Sequence, residues 1–215
     1  MTISFFSWIP IVEFWYQSMK MNSKLQLLAL LSLSFAIGYF TTNFFTNRKS
    51  KPAQQNFTLS SSLVLVNQDG DNVDLLQVTD KMKIVYFGFI HCPDVCPKTL
   101  STFSTMLKAN PDLSKKAKFY FISVDPERDS SQALQEYLNH FDNRIIGLTG
   151  DRIDIERTRK AFQAEAKTIR LPNKDYTVDH SVFIYILDKQ NKIIAVYPSG
   201  TSGEILSKEI GKFFK

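Results

Sequence analysis

Thiols are scarce in this chain: its 215 residues hold two cysteines, Cys92 and Cys96. A chain without stray thiols suits an oxidising compartment, where unpaired cysteines mispair. Histidine is nearly as rare, at three residues, His91, His140 and His180. The net charge of +5 comes from lysines scattered along the chain, with no clustered basic stripe and no interleaved aromatics. That pattern lacks the footprint of a nucleic-acid binder and reads as a solvated basic surface. No internal repeat and no low-complexity tract is present, and no charge falls between residues 25 and 45.

That uncharged stretch, LQLLALLSLSFAIGYFTTNFF, has about the 20 residues a membrane-crossing helix needs. It predicts one N-terminal transmembrane anchor over 25–45. A cleaved signal peptide ending near Ser34 to Ala36 is the alternative, but the apolar run continues past that point. Lys20 and Lys24 precede the run while Arg48, Lys49 and Lys51 follow it, so counting positive charges does not set the orientation. Residues 1–24 form an N-terminal extension with no assigned fold, rich in Phe, Trp and Ile and interrupted by Pro10 and Glu13. Met19 and Met21 each open a more ordinary N-terminus, so a native extension and a start placed too far upstream both stay open. Residues 46–56 read as a polar linker containing Pro52, and residues 57–215 as one domain. The whole chain is 44% hydrophobic and 22% charged, and a domain of that length can bury a sizeable core.

Within the domain, apolar and polar residues alternate over 57–78 around Asp69-Gly70, a strong hairpin signal. Residues 83–90, KIVYFGFI, form a short apolar run bounded by breakers and predict a buried strand. A helix is expected from the cysteines to about Lys108, stopped by Asn110-Pro111. A second strand is expected over 118–124, a helix over 130–141, a short strand over 145–148, and a helix over 151–166 capped by Asp151. Residues 167–177 show no clear period and predict a loop or irregular ribbon. A third long strand over 181–187, a hairpin partner over 192–197 and an amphipathic helix over 203–214 close the chain. This order predicts an α/β protein, a thioredoxin-like fold with an N-terminal β-hairpin extension. The cysteines then sit at the C-terminal end of a central strand, where open sheets keep their sites.

Cys92 and Cys96 are each followed by a proline, and Pro97 is tolerated where a helix begins. Residues four apart on a helix lie roughly 5 to 6 Å from each other, about the range of disulfide Cα separations. The two sulfurs can close on each other or on one metal ion. Three readings follow. Buried cysteines can simply fill space, but Pro93, Asp94 and Pro97 mark an exposed turn. A helix N-terminus favours thiolate and so redox work, although thioredoxin-like enzymes space their cysteines more closely. Two thiolates are also soft ligands, suited to Cu(I), zinc or iron-sulfur clusters, and need a further donor. His140, among Tyr137, Leu138 and Phe141, reads as structural, and the ring of His91 is expected to turn away from the pair. His180 stands in VDHS, 84 residues after Cys96, where the third long strand enters beside the cysteine turn; Asp179 adds local charge. Spacing alone does not make His180 a ligand.

GFIHCPDVCPKTL, followed by FISVDPERD and then TVDHSVFIYILD, resembles the Sco (SenC) family of copper-binding assembly factors for cytochrome c oxidase. The three blocks stand in the family's order and spacing, and the likeness covers about residues 57–214. The resemblance implies a thioredoxin-like domain tethered to a membrane by one N-terminal helix. It implies copper, as Cu(I) or Cu(II), with Cys92, Cys96 and His180 as its ligands, and the copper-binding subunit of the oxidase as partner. The family faces the periplasm or the mitochondrial intermembrane space, and the lack of an Arg- and Ser-rich transit segment favours a bacterial inner membrane. Ile90 departs from the family, which often has threonine there, and puts a local hydrogen bond in doubt.

The expected function is a copper chaperone. The alternative is a thiol-disulfide reductase that cycles Cys92 and Cys96 through a disulfide, keeps the oxidase's copper-site cysteines reduced and draws on a thiol reductant protein. A peroxidase is disfavoured, because Phe89, Ile90 and His91 precede Cys92 where a Thr-x-x-Cys pattern would stand. In the DPERD turn, Asp125 and Arg128 read as a turn and ion pair rather than a docking site, and Asp94 as a helix-start charge.

Overall fold

The computed structural model describes residues 23–46, 57–59, 61–172 and 175–214. The expected extension lies outside them but for its last two residues, and the expected linker but for its first. The chain divides into two compact units, Met1–Lys49 and Ser50–Lys215.

In the first unit, α1 (Ser23–Thr46) is built from Leu, Ala and other good helix formers without proline. Leu27, Leu30, Leu31, Phe35 and Phe40 are all exposed on it. Ser32, Ser34 and Gly38 interrupt the apolar run, and Ser34 turns its hydroxyl back onto the Leu31 carbonyl at 2.9 Å. Among the described residues no helix is long and apolar enough to cross a membrane. The helix expected over 25–45 is there, but a membrane-spanning role for it is not shown.

In the second unit, β1 (Val64–Asn67) and β2 (Asn72–Asp74) make the hairpin around Asp69-Gly70. Gly70 takes φ 90°, which glycine does without strain, and Asn67 Oδ1 closes the turn on the Asp69 and Asp71 N–H groups. β3 (Met82–Gly88), β4 (Ala117–Ser123) and β5 (Ile145–Thr149) run parallel. They are joined through α2 (Val95–Ala109), the single turn α3 (Leu113–Lys116) and α4 (Ser131–Leu138). Next come α5 (Arg152–Ala161), a ribbon of β6 (Ala166–Arg170) and β7 (Tyr176–His180), a hairpin of β8 (Phe183–Leu187) and β9 (Ile193–Pro198), and α6 (Gly203–Gly211). The main sheet has the order β2-β1-β5-β4-β3-β8-β9.

Every residue of β3 is buried, because helices cover both faces of the sheet. On one face Tyr86, Phe119 and Phe121 pack among Phe103 of α2 and Tyr137 of α4. On the other, Phe87 and Tyr185 pack on Phe162, just past α5. Ser130, Asp151 and Ser202 start α4, α5 and α6 by accepting a backbone N–H from three residues on.

Three expectations change. The helix expected over 151–166 stops at Ala161, where Phe162 turns into the core and Gln163 takes a left-handed φ of 54°. The expected irregular stretch 167–177 is a regular antiparallel ribbon apart from the main sheet, its β6 exposed along nearly its whole length and so without a burial period. His140 lies exposed in the turn after α4 rather than packed inside the helix, because α4 ends at Leu138.

Candidate metal centre

β3 delivers the cysteines, and Gly88 at its end makes room for them. A Cβ there would stand 2.5 Å from the Phe121 ring and 2.8 Å from Cys96 Sγ, so only glycine lets the sulfur approach. The Cys92 N–H bonds back to the Phe89 carbonyl at 3.2 Å, closing a turn, and α2 opens with Cys96 in its first turn. Asp94 occupies the N-cap position without capping through its side chain, which pairs with Lys98 instead. Pro93 and Asp94 are exposed as expected, yet both sulfurs face inward: Cys92 is 9% exposed and Cys96 fully buried. Both cysteines are free.

β7 delivers the imidazole as its last residue, three residues ahead of β8. His180 Nε2 lies 3.7 Å from Cys96 Sγ, and Nδ1 lies 3.0 Å from the Ser181 carbonyl oxygen. A carbonyl only accepts, so Nδ1 carries a proton and Nε2 is the ring nitrogen turned to the sulfurs. Tyr86 and Phe89 hold the ring edge-on, with centroids 6.4 and 5.6 Å away. The Tyr86 hydroxyl also points to Cys96 Sγ at 3.7 Å. Donor atoms of Cys92, Cys96 and His180 all lie within 4.8 Å of one another.

The two thiols share their protons unequally. Hydrogen bonding from Cys96 holds the Cys92 thiol down to about 4 against the penalty of burial, with help from His180 and the backbone N–H groups at the helix start. The same bond to the Cys92 thiolate, together with burial, pushes the Cys96 thiol well up. The pair therefore rests with one thiolate and one thiol and titrates as a unit.

His91 and His140 are exposed and stand outside this cluster, as does Asp179 on the ribbon. Asp125 and Arg128 form the expected ion pair, at 2.6 Å. Sequence reasoning did not anticipate Asp129, whose buried carboxylate accepts from Ser123 Oγ at 2.7 Å and from the Ile90 N–H at 3.1 Å. Burial raises this carboxyl to about 6. The bond uses the Ile90 backbone, so the side chain at that position does not affect it. The signal for Asp129 was its place at the end of DPERD, one residue past the arginine. Tyr86 and Tyr176 were also missed, because each acts through a contact distant in sequence.

The donor set suits a soft metal ion. Bonds of about 2.3 Å to sulfur and about 2.0 Å to nitrogen put three donors around one ion about 4 Å apart, close to the observed spread. The family model SCO1/SenC matches residues 51–215 of this chain. The chain belongs to the SCO1/SenC family. Protein sco1 of Schizosaccharomyces pombe is 34% identical to this Sco chain over 160 residues, covering 73% of it and 61% of the relative. The chain thus spans less than two thirds of that fungal protein's length. An SCO2-like protein of Rickettsia prowazekii is 28% identical over 207 residues, 92% of this chain and 99% of the relative. The structure of Bradyrhizobium japonicum ScoI with copper bound matches at 31% identity and a TM-score of 0.67, covering 73% of this chain and 99% of that one. The mixed α/β, thioredoxin-like fold of Sco proteins is therefore the fold of this chain.

Proposed function

We propose that this Sco protein carries copper as cargo, bound by Cys92, Cys96 and His180, and hands it to the copper-binding subunit of cytochrome c oxidase during assembly. The observation that supports this is the meeting of two sulfurs and one imidazole nitrogen within 4.8 Å. Cu(I) prefers such soft donors. Cys92 enters as thiolate, Cys96 gives up its proton on binding, and the Ser181 carbonyl keeps His180 Nε2 turned inward. Residues 57–215 are the domain we assign to this work. A copper titration of the His180→Ala chain tests it, since retention of full affinity would remove the imidazole from the account.

The depressed Cys92 thiol favours a second reading, a thiol-disulfide reductase. The Cys92 thiolate attacks one sulfur of a disulfide on the oxidase subunit, and the other sulfur leaves as thiolate. Cys96, losing its proton, then displaces the mixed disulfide. The subunit gains two electrons and two thiols, and a Cys92–Cys96 disulfide forms that a reductant protein must reopen. That disulfide removes both sulfur donors, so copper stoichiometry of the dithiol and disulfide forms, measured side by side, separates the readings. A reductase needs no copper in either form.

We also propose a membrane-associated location, at the bacterial inner membrane with the second unit in the periplasm. The exposed leucines and phenylalanines of α1 and the uncharged stretch 25–45 support it. Fractionation that leaves the full chain wholly in the soluble fraction overturns it.

A further inference from the structure

The DPERD turn, residues 125–129, supplies none of the three donors, yet it is bonded to both of the elements that do. At its last residue, Asp129 Oδ2 accepts the Ile90 N–H at 3.1 Å, just where β3 gives way to the cysteine turn. At its first residue, the buried Asp125 carboxylate accepts from Tyr176 Oη at 2.8 Å and from Arg128 Nε at 2.6 Å. Arg128 Nη1 in turn donates to the Tyr176 carbonyl at 3.1 Å, and the guanidinium lies 3.8 Å over the Tyr176 ring. Tyr176 opens β7 and His180 ends it.

The turn is itself rigid. The Arg128 and Asp129 N–H groups both bond to the Asp125 carbonyl, at 3.1 and 2.9 Å, and Ser123 Oγ both accepts from the Asp125 N–H and donates to Asp129. The ribbon, by contrast, stands apart from the main sheet, and a two-stranded ribbon is marginal alone. It needs an anchor to fix where its last residue lies. A turn that served only to join β4 to α4 would require neither the bonds to Tyr176 nor the bond to Ile90.

We propose that the DPERD turn is a staple that sets the spacing between the cysteine turn and His180. Asp129 is the positioning residue for the sulfurs, and Asp125 and Arg128, acting through Tyr176, are the positioning residues for the imidazole. The metal-affinity arm of the test rests on the copper reading above, while the ring-contact arm does not.

The test uses the full chain with Arg128→Lys, which keeps the charge but loses the planar stack and the fork of donors. Removing a partner that orients a ligand costs about 10- to 100-fold in metal affinity. Arg128→Lys is expected to weaken Cu(I) binding by at least about tenfold, and to cost nothing further in a His180→Ala background, because it acts through the imidazole. Asp129→Ala acts on the sulfurs and keeps its cost in that background. In the metal-free chain, the NMR contact between the His180 and Phe89 rings, 5.6 Å apart here, weakens in Arg128→Lys. If Arg128→Lys fails to fold, Tyr176→Phe, which removes one hydroxyl and keeps the ring, is expected to show the same pattern in smaller degree. An unchanged affinity with an unchanged ring contact overturns the staple, as does an equal loss in the His180→Ala background. A wild-type chain that takes up no Cu(I) overturns the copper reading alone, and the ring contact then decides the staple.

Discussion

Cys96 Sγ and His180 Nε2 meet at 3.7 Å across 84 residues of chain. Neither sulfur pair nor imidazole makes a three-donor site without that meeting. The sheet brings it about by ending β3 beside the ribbon, and the surrounding rings of Tyr86 and Phe89 leave the imidazole little freedom to turn away.

Gly88 is the narrowest point of this arrangement. Gly88→Ala places a methyl 2.8 Å from Cys96 Sγ and 2.5 Å from the Phe121 ring, neither of which can yield freely in a packed core. Overpacking of this kind costs about 1–3 kcal/mol. Urea denaturation should register that loss, and metal affinity should fall with it because the sulfur is pushed off its position. A variant as stable as the parent would contradict the packing described here.

The low value of the Cys92 thiol depends first on the hydrogen bond from Cys96. Cys96→Ala removes that donor, so the Cys92 titration midpoint should rise from about 4 toward the usual thiol range. Ultraviolet absorbance of the thiolate, followed against pH in the metal-free chain, reads this directly. An unmoved midpoint would mean that His180 or the helix N-terminus carries the effect instead.

Asp129 has the opposite sign. Burial raises its carboxyl from 3.8 to about 6 in the folded chain, so between these values the folded state holds the proton more tightly than the unfolded one. Its contribution to stability is fully present below 3.8 and is lost as the pH climbs through about 6, a change on the order of 3 kcal/mol. Comparing the parent with Asp129→Asn by denaturation across this range isolates it. The difference in stability between the two should change between pH 4 and 6 and stay flat above about 7; a difference constant throughout would rule out a raised carboxyl.

Much of the fold was legible because its central strands are buried on both faces. β3 and β4 read as runs dominated by β-branched and aromatic residues, and the helix stop at Asn110-Pro111 and the strand end at Asp125-Pro126 left little freedom in the bounds around them. The ribbon was not legible, because β6 is exposed along most of its length and no residue pattern marks an element whose partner is only its own hairpin. At the site, the cysteine spacing announced a reactive pair. Spacing could not foretell that the sulfurs face inward behind an exposed Pro93-Asp94, since neighbours distant in sequence decide burial. His180 was weak from its position alone, and the bonds of Asp129 to Ile90 and of Arg128 to Tyr176 depend on contacts between segments that no local period encodes.

The most direct measurement is a Cu(I) titration of the full chain against its His180→Ala variant, with the dithiol kept reduced. The account predicts one copper ion per parent chain and a loss in the variant beyond the about 10- to 100-fold that an outer hydrogen-bonding partner costs. Equal affinity in the two proteins would contradict it, leaving the sulfur pair to act in electron exchange alone.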